Sequence, residues 1–339
     1  MGYHTATSAY CLLPTAFCPL PSAFCPPPIA SLSPNCRTFT TVRLLSALLY
    51  YLVLLPVSLL PFPLLYGLSD GLFILLWYLL PYRKKIVLQN LRNSFPEKSE
   101  REIRAIARDF YAHLCDLIVE SLKTFTASPA TIRKRVNLVN PELLEHYYKL
   151  NKSLILVTGH HANWEWPAIT LPFHSSHTAT GIYKQLSNPY FDLRLRRTRA
   201  KFGLKLMSTR EVAEFFEAHQ SDCCTYGFIN DQSPSKPSKG YWTRFLNQDT
   251  CVLLGAENYA MKYDFPVLYG MITKTGRGKY RLEYKLISEH PATEPRFAIT
   301  EACVRINESI IRSQPQYWLW SHRRWKHKKE DWKLVAGNW

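Results

Sequence analysis

The sequence predicts an α/β fold, a mostly buried mixed sheet flanked by helices, and three observations carry that reading. Short continuous apolar runs, such as residues 153–158, stop at glycine or polar residues as buried strands do. Helix-spaced apolar residues fill the intervals between those runs. The 339 residues, 47% hydrophobic and 20% charged, supply core for a large domain and exclude wholly disordered, collagen-like and coiled-coil chains.

From the start of the chain, residues 1–36 carry no Asp, Glu, Lys or Arg, seven prolines and four cysteines, including a seven-residue repeat around Phe17-Cys18-Pro19 and Phe24-Cys25-Pro26. Repeated proline blocks a helix, and no basic start makes this a signal peptide. Residues 1–41 therefore read as a disordered leader, or as translated upstream sequence ahead of a later start such as Val42. Residues 44–69 follow without a charge, long enough to cross a hydrocarbon core of about 30 Å, although Pro56, Pro61 and Pro63 interrupt them. A second run at 72–80 is too short to span alone. Arg83, Lys84 and Lys85 come next, so the positive-inside rule places the remainder on the cytoplasmic face. Residues 42–80 are thus expected to anchor the chain in the membrane, and 81–339 to form the catalytic body.

In that body, Ile103, Ile106, Phe110, Leu114 and Leu117 predict a helix over 98–124. Strands are expected at 153–158, 225–229, 267–272 and 280–287. Helices are expected near 189–203, 209–219, 250–264 and 298–312. The charge is concentrated here as well: the whole chain carries +16, of which residues 1–80 contribute +1. Such an excess suits an anionic partner.

The chemistry-bearing stretch is Gly159-His160-His161-Ala162-Asn163-Trp164-Glu165, just past an expected buried strand. A histidine can take a proton from a hydroxyl near neutral pH, and a carboxylate on its other ring nitrogen fixes the tautomer. On a continuous helix His161 and Glu165 share a face, whereas His160 reaches Glu165 only from a preceding loop. A metal-dependent hydrolase using His160, His161, Glu165 and Asp231 is a competing reading, although adjacent histidines point apart on a helix. No G-x-S-x-G nucleophile signature occurs. Cys115, Cys223, Cys224, Cys251 and Cys303 lack metal spacing and read as reduced, packed thiols.

The stretch resembles the His-x4-Glu/Asp box of the late lipid A acyltransferases, the lauroyl and myristoyl transferases, which are lysophospholipid acyltransferase-like. The flanks resemble that family too: Asn90-Leu91 with Phe95-Pro96-Glu97, then Tyr183-Lys184 and Asn188-Pro189, Arg199 and Gly203, Asp231-Gln232, and finally Gln316-Tyr317-Trp318-Leu319-Trp320-Ser321-His322-Arg323-Arg324-Trp325-Lys326. Two departures are Lys184 where the family often has arginine, and Phe245-Leu246-Asn247 where Phe-Phe-Gly is common. The resemblance covers about residues 43–327 and implies a glycerolipid acyltransferase-like sheet.

It also implies a reaction: His160 removes a proton from an acceptor hydroxyl, Glu165 holds the ring, and the oxygen attacks a thioester on acyl carrier protein. Lys184, Arg199, Asp231, Gln232 and Asn163 become the expected substrate-binding residues, and no cofactor is implied. The acceptor would be a lipid A precursor, or a different amphipathic lipid, at the inner membrane. Arg194, Arg197 and Lys201 share a helical face that reads as solvated, while Trp325 and Trp332 among Lys and Arg suit an anionic membrane surface. Nucleic acid could use such a composition, but no nucleic-acid motif accompanies it. The opposing class, a non-catalytic membrane-binding protein, is disfavoured by the intact His160 and Glu165.

Overall fold

The computed structural model describes residues 34–220, 222–237 and 240–329, with side chains from residue 41. Most of the expected leader and Trp332 of the basic tail lie outside the described residues. The chain divides between Leu45 and Ser46, and the sheet and its helices belong to the part from Ser46 onward.

Helix α1 (Pro34–Leu49) runs through a π-helical turn into α2 (Leu55–Leu59). At Leu60 the backbone becomes extended, as expected of a residue before proline. Helix α3 (Phe62–Ile74) then starts with Pro63 in its first turn, where a missing N–H costs nothing, and continues as π-helix to Leu79. The apolar runs are thereby recut. Thr41–Leu59 and Phe62–Leu79 are each long and apolar enough to cross a membrane, and only 17% and 11% of these windows is buried. A core helix of a soluble domain would be mostly covered.

Helix α4 (Lys84–Ser94) precedes α5 (Glu100–Lys123), which starts at a capping box between Ser99 and Glu102 and buries Ile103, Ala107, Phe110 and Leu117. Then come α6 (Pro129–Arg133), β1 (Val136–Leu138), α7 (Glu142–Lys149), β2 (Leu154–Thr158) and α8 (Glu165–Thr170). They are followed by β3 (Thr178–Tyr183), α9 (Pro189–Ala200), β4 (Lys205–Ser208), α10 (Val212–Ala218) and β5 (Cys224–Ile229). A hairpin of β6 (Gly240–Phe245) and β7 (Gln248–Leu253) precedes α11 (Gly255–Tyr263), β8 (Val267–Gly276), β9 (Lys279–Ser288) and α12 (Ala298–Ser313).

Seven strands form one sheet in the order β1-β9-β8-β2-β5-β3-β4. Strands β8, β2, β5, β3 and β4 run parallel, and β9 turns back antiparallel with β1 beside it. This is the expected mixed, mostly buried sheet. One face packs on α8 through Leu154, Leu268, Trp166 and Ile169, and the other on α10–α12 through Ile155, Val157, Phe216 and Cys303. The five described cysteines outside the leader are free, and all but Cys223 are buried.

The helix expected at 250–264 is a correction: its first residues are β7, and the helix starts at Gly255. That strand was hidden because the β6–β7 turn is Leu246-Asn247, both with positive φ (48° and 64°). Asn247 tolerates this where glycine is usual, and Leu246 is an untypical turn residue held by complete burial.

Candidate active site

Strand β2 sits in the middle of the sheet, and the loop beyond its carboxyl end carries the box residues. Gly159 fits closely there: a Cβ would lie 2.6 Å from Asn307 Oδ1 of α12, so a larger residue would have to displace that amide. Ala162 takes a left-handed φ of 52° and donates its N–H to Tyr317 O at 2.8 Å, so the carboxyl-terminal segment pins the loop. This turn places His160 in the loop and Glu165 at the start of α8. The two are not on one helix.

His160 is held by Asp231, just past the carboxyl end of neighbouring β5. Its Nδ1 lies 2.5 Å from Asp231 Oδ1, and its backbone N–H donates to Oδ2 at 2.7 Å. Trp318 Nε1 donates to the same Oδ2 at 2.7 Å. Burial would raise the Asp231 carboxyl, but the His160 ring and the donated hydrogen bonds outweigh it and hold it at about 2. An ionised Asp231 makes Nδ1 the N–H of the ring and leaves Nε2 as the basic nitrogen. Nε2 lies 3.1 Å from the Gln232 amide nitrogen, a donor toward that lone pair.

The carboxylate on His160 is therefore Asp231 and not, as expected, Glu165. Glu165 forms a two-pronged ion pair with Arg199 of α9, Nε to Oε1 at 2.6 Å and Nη2 to Oε2 at 2.7 Å. Asp231, an expected substrate contact, has its two oxygens on His160 and Trp318 and is 5% exposed. Asn163 is another expected substrate contact. It is buried, its Oδ1 accepts the N–H groups of Glu165 (3.1 Å) and Trp166 (3.0 Å), and its Nδ2 donates to Glu120 Oε2 at 2.6 Å. It orients the first turn of α8. His161 turns into the core, its ring nitrogens 2.9 Å from Ile272 O and 3.1 Å from Gln314 O, and burial pushes its pKa down. It therefore points away from the other proposed metal ligands, and among the described residues no three His, Cys, Asp or Glu converge on a metal position.

His160, Glu165, Lys184, Arg199 and Gln232 do come together, on the wall of a cavity of about 670 Å³. Much of its lining is apolar, including Leu156, Ile182, Leu204, Leu206 and Phe228. Lys184 is exposed at the rim. Of the three basic residues expected on a solvated face, Arg197 is exposed, whereas Arg194 lies over the Tyr50 and Tyr51 rings and Lys201 Nζ, just past α9, donates to Thr124 O at 2.7 Å. Trp325 also departs from an interfacial role, packing against Phe245 and Trp318 beside the buried Arg324.

Sequence reasoning missed the residues that brace the site. Glu120 is fully buried on α5 and accepts from Asn163, Tyr280 (2.7 Å) and Tyr66 (3.0 Å); burial raises its pKa against those bonds. The signal was a carboxylate on the buried face of an amphipathic helix. Trp318 lay within the carboxyl-terminal segment that resembles the family, but nothing local marked it as a partner of Asp231.

Residues 36–327 match the family model for bacterial lipid A biosynthesis acyltransferases. The lipid A biosynthesis lauroyltransferase of Escherichia coli (strain K12) is 23% identical over 276 residues, covering 80% of this chain and 88% of that protein. Lipid A biosynthesis acyltransferase 2 of Shigella flexneri is 30% identical over 122 residues, 36% of this chain and 38% of that protein. The myristoyltransferase of the same E. coli strain is 27% identical over 123 residues, 36% of this chain and 38% of that protein. With the family model spanning nearly all of the described body, the chain belongs to the bacterial lipid A biosynthesis acyltransferase family, and it is an acyltransferase.

Proposed function

We propose that the protein moves a fatty acyl chain from an acyl carrier protein thioester to a hydroxyl of a lipid A precursor, with His160 as general base and Asp231 as its orienting acid. The observation that carries this reading is the His160–Asp231 pair, whose second nitrogen, Nε2, belongs to a residue lining a largely apolar cavity and meets the Gln232 amide. An acceptor hydroxyl takes the place of the Gln232 amide at Nε2 and gives up its proton there. Its oxygen attacks the thioester carbon, the C–S bond breaks, and the leaving thiolate takes the proton back. Gln232, released from Nε2, donates toward the oxyanion that forms on the carbonyl oxygen. Base assistance contributes about 10²–10⁴-fold, and held orientation supplies more. Glu165 fixes Arg199 at the cavity wall, where Arg199 and Lys184 favour an anionic acceptor or carrier.

The body acts at the cytoplasmic face of the inner membrane, held by the helices Thr41–Leu59 and Phe62–Leu79 within the anchor segment 42–80. Support comes from exposed Leu48, Leu52, Leu64 and Leu79, and from how the anchor meets α9. Asn188 Nδ2 donates to Ser46 Oγ at 2.9 Å and Arg194 Nη2 to Tyr51 Oη at 2.6 Å, bringing the helix that carries Arg199 against the apolar segment. The test is transfer by the purified full chain in detergent, with acyl carrier protein thioesters and a lipid A precursor, read by mass spectrometry. A new acyl ester in wild type, lost in His160→Ala, is expected. Undiminished transfer by His160→Ala would overturn the assignment.

A further inference from the structure

Three glycines in the sheet interior line the cavity: Gly181 on β3, Gly227 on β5 and Gly270 on β8. They share one face. Gly181 is level with Gly227, Gly227 with Leu156, and Gly270 falls beside Thr158, two residues along from Leu156 on β2. Alternation along a strand turns all of these toward the α8 side of the sheet.

Glycine inside a strand weakens it and is usually explained by a bend, a positive φ or a close neighbour. None of these applies. The glycines with positive φ among the described residues are Gly203 and Gly278. A Cβ would meet its nearest atom at 3.5 Å at Gly181, 3.4 Å at Gly227 and 3.4 Å at Gly270, ordinary contact distances. A Cβ would be accepted without clash at all three positions, so the fold does not demand glycine there, and the absence of a side chain lowers the cavity floor. The walls beside that floor are Leu204, Leu206, Leu156 and Leu282, which suit a hydrocarbon occupant. The Gly181–Gly227 row sits four strand residues before His160, about 13 Å from the reacting nitrogen's loop.

We propose that Gly181, Gly227 and Gly270 are specificity-determining residues that floor a channel for the transferred acyl chain, and that the depth they leave sets its greatest length. The inference rests on the acyl-transfer reading above and extends it to chain selection. The chain lies with its thioester carbonyl near His160 and its tail across the glycine row. A side chain at that row shortens the channel without touching the chemistry.

The experiment compares wild type with Gly181→Ala, Gly227→Ala and Gly227→Val, each checked by thermal melt. Donor thioesters of increasing saturated length are assayed against one acceptor, and acceptors of different chain length against one donor. For Gly227→Val, kcat/KM with the longest donor that wild type uses should fall about tenfold or more, while a donor shorter by about four carbons changes less than about threefold. The alanine variants, which add one carbon, should shift the same way by less and melt as wild type does. An unchanged donor preference overturns the proposal, as does equal loss at every donor length or a shift confined to the acceptor's chains. Calorimetric binding of free fatty acids of the same lengths separates the two readings. If wild type transfers nothing yet binds fatty acids with a length limit that Gly227→Val shortens, the transfer reading has failed and the glycine floor stands. If the limit does not move, the floor has failed.

Discussion

Two carboxylate pairs flank the cavity, and they are built differently. The inner one, His160–Asp231, sits on loops past the ends of adjacent central strands and is braced by Trp318; its side chains are 16% and 2% exposed. The outer one, Glu165–Arg199, spans two helices on one side of the sheet, with side chains 19% and 17% exposed. The inner pair leaves one nitrogen lone pair, met by the Gln232 amide at the cavity, and satisfies everything else internally. The outer pair consumes its whole carboxylate in holding one guanidinium. A buried pair on strand ends suits proton transfer, whereas a part-exposed fork between helices suits holding charge where substrate enters.

If that division is right, the largest effects come from the inner pair. His160→Ala and Asp231→Asn should each lower kcat by about 10²–10⁴-fold with KM little changed, measured in steady-state transfer assays. Loss expressed in KM alone would place the pair in binding. For the outer pair, Arg199→Ala should cost about 10–100-fold in kcat/KM, and Arg199→Lys should recover only part, since lysine cannot form the fork. The double variant Glu165→Gln/Arg199→Ala should be no worse than Arg199→Ala alone. Additive losses would mean that Glu165 acts independently of Arg199.

Stability separates the pairs more gently. Asp231 titrates at about 2 in the folded chain against 3.8 unperturbed, so its contribution is complete above 3.8 and lost as pH falls through about 2. Asp231→Asn should therefore be less stable than wild type by about 2 kcal/mol at pH 6, with the gap closing between pH 3.8 and 2 in urea melts. A gap that widens in acid would reverse the sign. His161→Ala should lower stability by a similar amount, because it removes a buried ring whose one N–H donates to a backbone carbonyl, Ile272 O or Gln314 O, while the pH profile of transfer keeps its midpoint.

The comparison also explains what the sequence could and could not reveal. Strands β2, β5, β8 and β9 were legible as apolar runs, and α5, α9 and α12 as periodic ones. Strand β3 was not, because Gly181 and two threonines dilute its apolar pattern, and β4 has only four residues. His160 was legible because it follows a buried strand and sits in a recognisable box. Its acid was not. Spacing arguments reach only as far as one helix or strand and left open which histidine meets Glu165; the resemblance then paired His160 with Glu165, five residues away, and not with Asp231, 71 residues away. The left-handed Ala162 is what separates His160 from Glu165, and nothing in an alanine announces a positive φ. Arg199 was placed at the site by the resemblance, but its bond to Glu165 became visible only once α8 and α9 lay side by side.

The most direct test of which carboxylate holds the base is the proton on His160 Nδ1. In histidine-labelled protein, NMR should show that proton strongly downfield, protected by the 2.5 Å contact to Asp231. The signal should persist in Glu165→Gln and Arg199→Lys, vanish in Asp231→Asn, and be absent from His160→Ala as the assignment control. A signal that survives Asp231→Asn and disappears in Glu165→Gln would contradict the pairing on which the mechanism rests.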